Sequence, residues 1–325
     1  MPHVNTHVHM PEAWKYFLHS PLNQLYLSLA VRAFAISIIS LFVPAYLYGE
    51  LGYSLTEVLQ FYLVFAITVA VSSPFLIALS SKIGFKHLIM LSIPLQLIYF
   101  YLLYALSEFS FSLLIVGLFL GLGEASLNAG VHLEFNAISH PKSRAEEVGK
   151  RQAAQFIGLM FGPLLGGGLI YYLGFKIVFI IVGVLLAFSS TFLFMSKEHK
   201  ISINFSFKKL WSIINYKLIL YYLYRGGWII ATGVLWPLFI FFELGNYLSL
   251  GVIGTLMALV TAFLVYFFGK KSDKIGKHKV VHMSAVPESI IWIFRGFFAS
   301  LGGIVGMSFF QSLTSSSLQA PLAAL

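Results

Sequence analysis

Polar and apolar positions along this chain change over in blocks of about twenty residues rather than one by one. Ten nearly uncharged runs, near residues 25–48, 56–80, 87–106, 111–133, 152–172, 174–195, 218–242, 248–268, 280–298 and 302–321, are separated by stretches that hold most of the charge. Runs of that length match a bilayer's hydrocarbon core, which a helix crosses in about 20 residues. Each run is expected to be a helix, because backbone polar groups in lipid must be satisfied within the segment or in a closed barrel. The alternating ten-residue pattern of barrel strands is absent. "SLTE" at 54–57 and "SRAE" at 143–146 carry the capping-box pattern near the starts of runs 2 and 5. The expected fold is an all-α, polytopic membrane bundle.

Composition agrees: 58% of residues are hydrophobic and 10% charged, against an apolar share of about 45–50% in soluble domains. There is no cysteine, which excludes disulfides and thiolate metal sites. A net charge of +9 would suggest nucleic acid for a soluble chain, but here the basic residues fall between apolar runs. Of the 21 Lys and Arg, 17 lie in the N-terminal tail or after runs 2, 4, 6 and 8. By the positive-inside rule those segments are cytoplasmic. A multi-pass plasma-membrane protein with a cytoplasmic N-terminus is expected. The first twenty residues lack the apolar core of a signal peptide. The chain divides into a tail (1–24), a six-run half (25–195), a polar linker (196–217) and a four-run remainder (218–325).

The last four runs echo the first four. At an offset of 193, Arg32 meets Arg225, Pro44 meets Pro237, Pro94 meets Pro287, and "ELG" at 50–52 meets "ELG" at 243–245. At 192, "KIG" at 82–84 meets "KIG" at 274–276. Both copies start on the same side, so the repeat is parallel. Two-halved transporters are built this way, with substrate held between the halves. Six runs against four leads to the expectation that about two helices are missing after residue 325.

The echo at "KIG" carries a family resemblance. Gly269, Asp273, Lys274, Gly276 and Lys277 fit the pattern G-x-x-x-D-[RK]-x-G-[RK]-[RK], with His278 in the last basic place. The chain from Leu25 onward thus resembles the major facilitator superfamily, which has this motif between helices 2 and 3 and again between 8 and 9. The first copy keeps Lys82, Gly84 and Lys86 but has Ile77 for the glycine and Ser81 for the acid. The resemblance implies a twelve-helix fold, alternating access, and a charge lock formed by the motif at the cytoplasmic helix ends. Run 5 contains Gly158, Gly162, Pro163, Gly166 and Gly167 in "GLMFGPLLGGG", which is similar to a signature of the superfamily's drug–proton antiporters. Physically, glycines four apart let another helix approach closely, and the proline favours a kink.

Ionisable groups inside spans are costly and mark functional candidates. Arg32 and Arg225 sit about 10 Å into runs 1 and 7, at 1.5 Å per residue. Two readings stand for them. As repeat equivalents they face one another and form a fork for a carboxylate or phosphate, a pattern similar to the organophosphate antiporters of the superfamily. Otherwise they snorkel to the interface. Glu124, Asn128 and His132 share one face of run 4. The resemblance places helices 1, 4, 7 and 10 around the cavity, so Glu124 pairs with Arg32 or titrates during transport as the proton-coupling candidate. Gln311, Thr314, Ser315 and Gln319 are the uncharged polar counterpart in run 10. Glu288 is expected near the wet cytoplasmic end of run 9.

No P-loop is present, and no nucleophile–base arrangement or histidine–carboxylate cluster stands at metal-ligand spacing. No enzyme activity, metal or cofactor is expected. The leading expectation is a monomeric secondary transporter of a small solute, first an organic anion. A proton-coupled efflux antiporter for amphiphilic compounds is the alternative, and a non-transporting receptor or scaffold a further one. The expected partners are the substrate, protons or a counter-anion, and the lipid bilayer, with no nucleic acid.

Overall fold

A computed structural model describes residues 20–140, 143–195, 198–199, 212, 215–275, 277–297 and 300–322, with side chains from 265–285 and beyond 314 outside the described set. Helix α1, Pro21–Glu50, ends in a wide π turn, Tyr46–Glu50. α2 is Leu55–Ile83, α3 Phe85–Ala105 and α4 Leu113–Ile138. The helical stretch Arg144–Ser189 is two helices, since Gly174 (φ 74°, ψ 168°) breaks it into α5 (144–173) and α6 (175–189). Only glycine adopts that φ without strain. α7 runs from Tyr216–Ile230 through a π turn, Ala231–Leu235, to Trp236–Leu244. α8 is Tyr247–Ile275, α9 Lys277–Phe294 and α10 Leu301–Leu322.

These helices follow the ten predicted runs. By length and composition seven of the described helical segments suffice to cross a membrane, fewer than the ten expected. One of the seven, Glu146–Phe194, has 49 residues, more than twice what one crossing needs, and it turns back at Gly174. Several helices outrun their apolar sequence. α8 continues through the charged motif to Ile275, and α9 starts at Lys277. The described residues of the stretch expected as a loop are helical.

The distribution of side chains is that of a molecule solvated by lipid. Leu63, Ile67, Val71 and Phe75, one per turn of α2, are 53–61% exposed. Arg32, Gln96, Glu134, Glu288 and Arg295 are buried. α1 packs along α5, α4 against α2 and α3, and α8 against both α5 and α10.

Local signals explain the helix starts. Ser54 Oγ accepts the Glu57 amide at 3.3 Å, and Glu57 accepts the Ser54 amide at 2.8 Å, closing the predicted capping box. The second predicted box does not form. Ser143 has φ −115° and ψ 8° and no side-chain cap. Its hydroxyl instead donates to Glu147 at 2.8 Å, and Glu147 also accepts the His140 amide at 3.0 Å.

Candidate functional site: a cavity between the helix groups

The helix-5 glycines set how closely the bundle closes. A Cβ on Gly158, Gly162 or Gly166 would collide with Ala30, Ser37 or Ile38 of α1. Gly167 faces α8 instead, where a Cβ would lie 2.7 Å from the Tyr247 carbonyl and 3.3 Å from Gly251 Cα. Pro163 also abuts α8, at Gly251 and Gly254. The next amide, Leu164, donates across to Thr255 Oγ1 at 2.8 Å. One turn of α5 therefore seats both α1 and α8.

Beside that turn, residues of α1 to α5 and α7–α8 line an open-sided cavity of about 460 Å³. Its wall is mostly apolar and aromatic, including Ile39, Tyr62, Phe65, Tyr99, Phe100 and Pro163. Glu124 is the one charged group among its described lining residues. Arg32 stands behind it, 5% exposed, with Nη2 3.7 Å from Glu124 Oε1. Arg32 Nη1 donates to Ser92 Oγ at 3.4 Å, and Gln96 Nε2 donates to Glu124 Oε1 at 2.6 Å. The ion pair is longer than the 2.7–2.9 Å of a charge-assisted hydrogen bond, and Arg32 Nη2 has no hydrogen-bond partner. Both charges lie well inside their helices. α1 begins at Pro21 and α4 ends at Ile138, which puts Arg32 and Glu124 about 16 and 21 Å from those ends at 1.5 Å per residue.

The other predicted residues are distributed differently. Arg225 is half-buried, its guanidinium 4.6 Å from the Trp228 ring centroid; it is not a lining residue of the cavity and shares no partner with Arg32. Asn128 is exposed one turn from Glu124. Gln311 is buried and accepts from Arg295 Nη2. The Ser315 side chain lies outside the described residues. So do Gly276 and the side chains of Asp273, Lys274 and Lys277, while Gly269 falls within α8. In the first motif copy Lys82 is exposed at the end of α2, and Gly84 has φ +100° between α2 and α3. Lys86 is buried, its Nζ 3.7 Å from Glu134 Oε1.

A second polar cluster escaped the sequence reading. Glu288 is 1% exposed, not wet, because α9 begins eleven residues before it. It accepts from Trp228 Nε1 at 3.0 Å, Trp292 Nε1 at 3.3 Å and Thr314 Oγ1. Arg295, also buried, lies 3.6 Å from the Trp236 ring centroid and 4.3 Å from that of Trp292. The signal was there: Glu288, Trp292 and Arg295 stand at i, i+4 and i+7, one helix face.

Known proteins complete the assignment. The family model described as Major Facilitator Superfamily matches residues 25–241, and the chain belongs to that superfamily of multi-pass membrane transporters. The structure is similar to that of a bacterial homologue of the human lysosomal transporter Spinster in its inward-facing, unoccupied conformation. That match has a TM-score of 0.66 at 16% identity and covers 94% of this chain and 74% of the other. The same comparison in the inward-facing, occupied conformation gives 0.67 and 19%, covering 97% and 74%. A search of curated proteins finds no match.

Proposed function

We propose that this transporter carries an amphiphilic solute in the cavity between its helix groups and couples that movement to proton binding at Glu124. The observation behind this reading is the wall: a large apolar and aromatic surface with a single carboxylate. Such a wall desolvates an apolar body at low cost and leaves one charged group to read the polar end. Glu124 is the carboxylate on which this coupling would act, with Gln96 and Arg32 both meeting its Oε1. With the proton off, the Arg32–Glu124 pair is neutral and the cavity presents no net charge. With the proton on, Arg32 is uncompensated, and the site favours an anionic group or closure.

The organic-anion reading survives in a narrower form on one observation, the Arg32 Nη2 without a hydrogen bond. It no longer draws on Arg225, whose guanidinium is stacked on Trp228. Efflux as the direction of transport, a cytoplasmic N-terminus and a plasma-membrane location belong to the same proposal, on the strength of the charge distribution and the helix-5 motif.

The test uses proteoliposomes and a set of fluorescent amphiphiles with one common tail and cationic, neutral or anionic heads. Transport of at least one member above protein-free liposomes is expected, with loss on filling the cavity by Gly233→Trp. Equal rates for tailed and tail-less anions would favour the small-anion reading and refute the amphiphile.

A further inference from the structure

The first two residues of α3 lie at the Lys82–Lys86 motif, and a helix start has amides with no partner inside the helix. Here both amides are taken by two consecutive residues from beyond α6. Phe85 N donates to the His199 carbonyl at 3.2 Å, and Lys86 N donates to Glu198 Oε1 at 3.0 Å. The glycine of the motif makes room for this. A Cβ on Gly84 would occupy the place of the Glu198 carboxylate. The side chains extend the same contact. His87 Nδ1 lies 2.6 Å from Glu198 Oε2, and His199 Nδ1 lies 3.0 Å from Glu134 Oε1. Lys86 Nζ reaches the same Glu134 oxygen at 3.7 Å.

Among the described residues the fixed charges of this junction do not balance. Around Glu134, 0% exposed, α3 supplies Lys86 and His87, α4 supplies Glu134, and the segment after α6 supplies Glu198 and His199. Among the described residues one lysine faces two carboxylates, and a protonated imidazole brings this group to neutrality. A buried, unbalanced carboxylate is costly, and histidine is the side chain whose charge changes near neutral pH. Of the two imidazoles, His199 is the less exposed, at 36% against 58% for His87.

We propose that this junction is a proton-operated latch: protonation of His199, seconded by His87, fastens the segment after α6 onto the start of α3 and the end of α4. Glu198 supplies an acid at the motif copy that has Ser81 in its acidic place. Lock and proton sensor are one structure here. The sign follows from the charge count. The hold is strongest where the imidazoles are charged and weakens as pH rises and they lose their protons. The latch does not depend on the Glu124 reading, because it is measured without substrate and its outcome is the same in a Glu124→Gln background.

Hydrogen exchange on the full chain in lipid nanodiscs reads the latch directly, at the amides of Phe85 and Lys86. After correction for intrinsic rates, these amides are expected to exchange about tenfold slower at about pH 6 than at about pH 8, the range over which histidine titrates. Glu198→Ala should raise their exchange about tenfold at acidic pH, with helix α1 unchanged as the folding control. His199→Gln should abolish the pH step, and His199→Lys, charged throughout, should keep protection at both pH values. An unchanged pH step in His199→Gln, or unchanged protection in Glu198→Ala, overturns the proposal.

Discussion

Replacing either member of the Arg32–Glu124 pair should destabilise the protein, but unequally. At 3.7 Å two unit charges interact by about 4 kcal/mol at an effective dielectric constant of about 20. Solvent reaching Glu124, 27% exposed at its side chain, reduces this to roughly 2–3 kcal/mol. Glu124→Gln leaves Arg32 buried, charged and unable to shed its proton, so a loss of about 3 kcal/mol is expected. Arg32→Gln leaves Glu124 its Gln96 bond, its partial hydration and the option of taking a proton. That variant should lose only about 1–2 kcal/mol. The double variant removes both charges and should be more stable than Glu124→Gln alone, by about 1–2 kcal/mol. Equilibrium unfolding of detergent-solubilised protein, followed by tryptophan fluorescence, measures all three. Losses that simply add in the double variant would refute the claim that the two charges are energetically one pair.

Other outcomes follow from the same geometry. Gly166→Leu drives a side chain into the Ile38 backbone and should abolish a monodisperse peak in size-exclusion chromatography, while Gly168→Leu, with nothing within 4 Å of its Cβ, should behave as wild type. Ser54→Ala removes the α2 capping box and should cost about 1 kcal/mol, read as a lower melting temperature. Tyr48 and Phe242 meet edge to face with centroids 4.8 Å apart, joining the end of α1 to the end of α7. In this cysteine-free chain, Tyr48→Cys with Phe242→Cys should crosslink under oxidant and stop transport reversibly, whereas unimpaired transport by the crosslinked protein would refute rocking of the two helix groups at that end.

Much of the architecture was legible because lipid imposes a coarse pattern. Twenty-residue apolar runs marked the helices and the division between α5 and α6. Charge in an apolar run marked Arg32 and Glu124, and the structure brings them together. Position within a helix was not legible, because a helix does not stop where its hydrophobicity stops. Lys277 to Met283 continue α9 as a polar first two turns, so Glu288 lies mid-helix and not at a wet end. Ser92 and Gln96, four apart on one face of α3, were missed for another reason: uncharged polar residues in an apolar run do not stand out as charges do. The contacts of Glu198 with Gly84 and Lys86 span more than a hundred residues and leave no local trace at all.

The central claim is that proton binding at Glu124 drives the transport cycle. Its most direct measurement is uptake of a transported amphiphile into proteoliposomes under an imposed pH gradient, for wild type and Glu124→Gln. Wild type should accumulate the probe above equilibrium only when the gradient is present, and Glu124→Gln should exchange it without accumulating it. Gradient-driven accumulation by Glu124→Gln at the wild-type level would contradict the account.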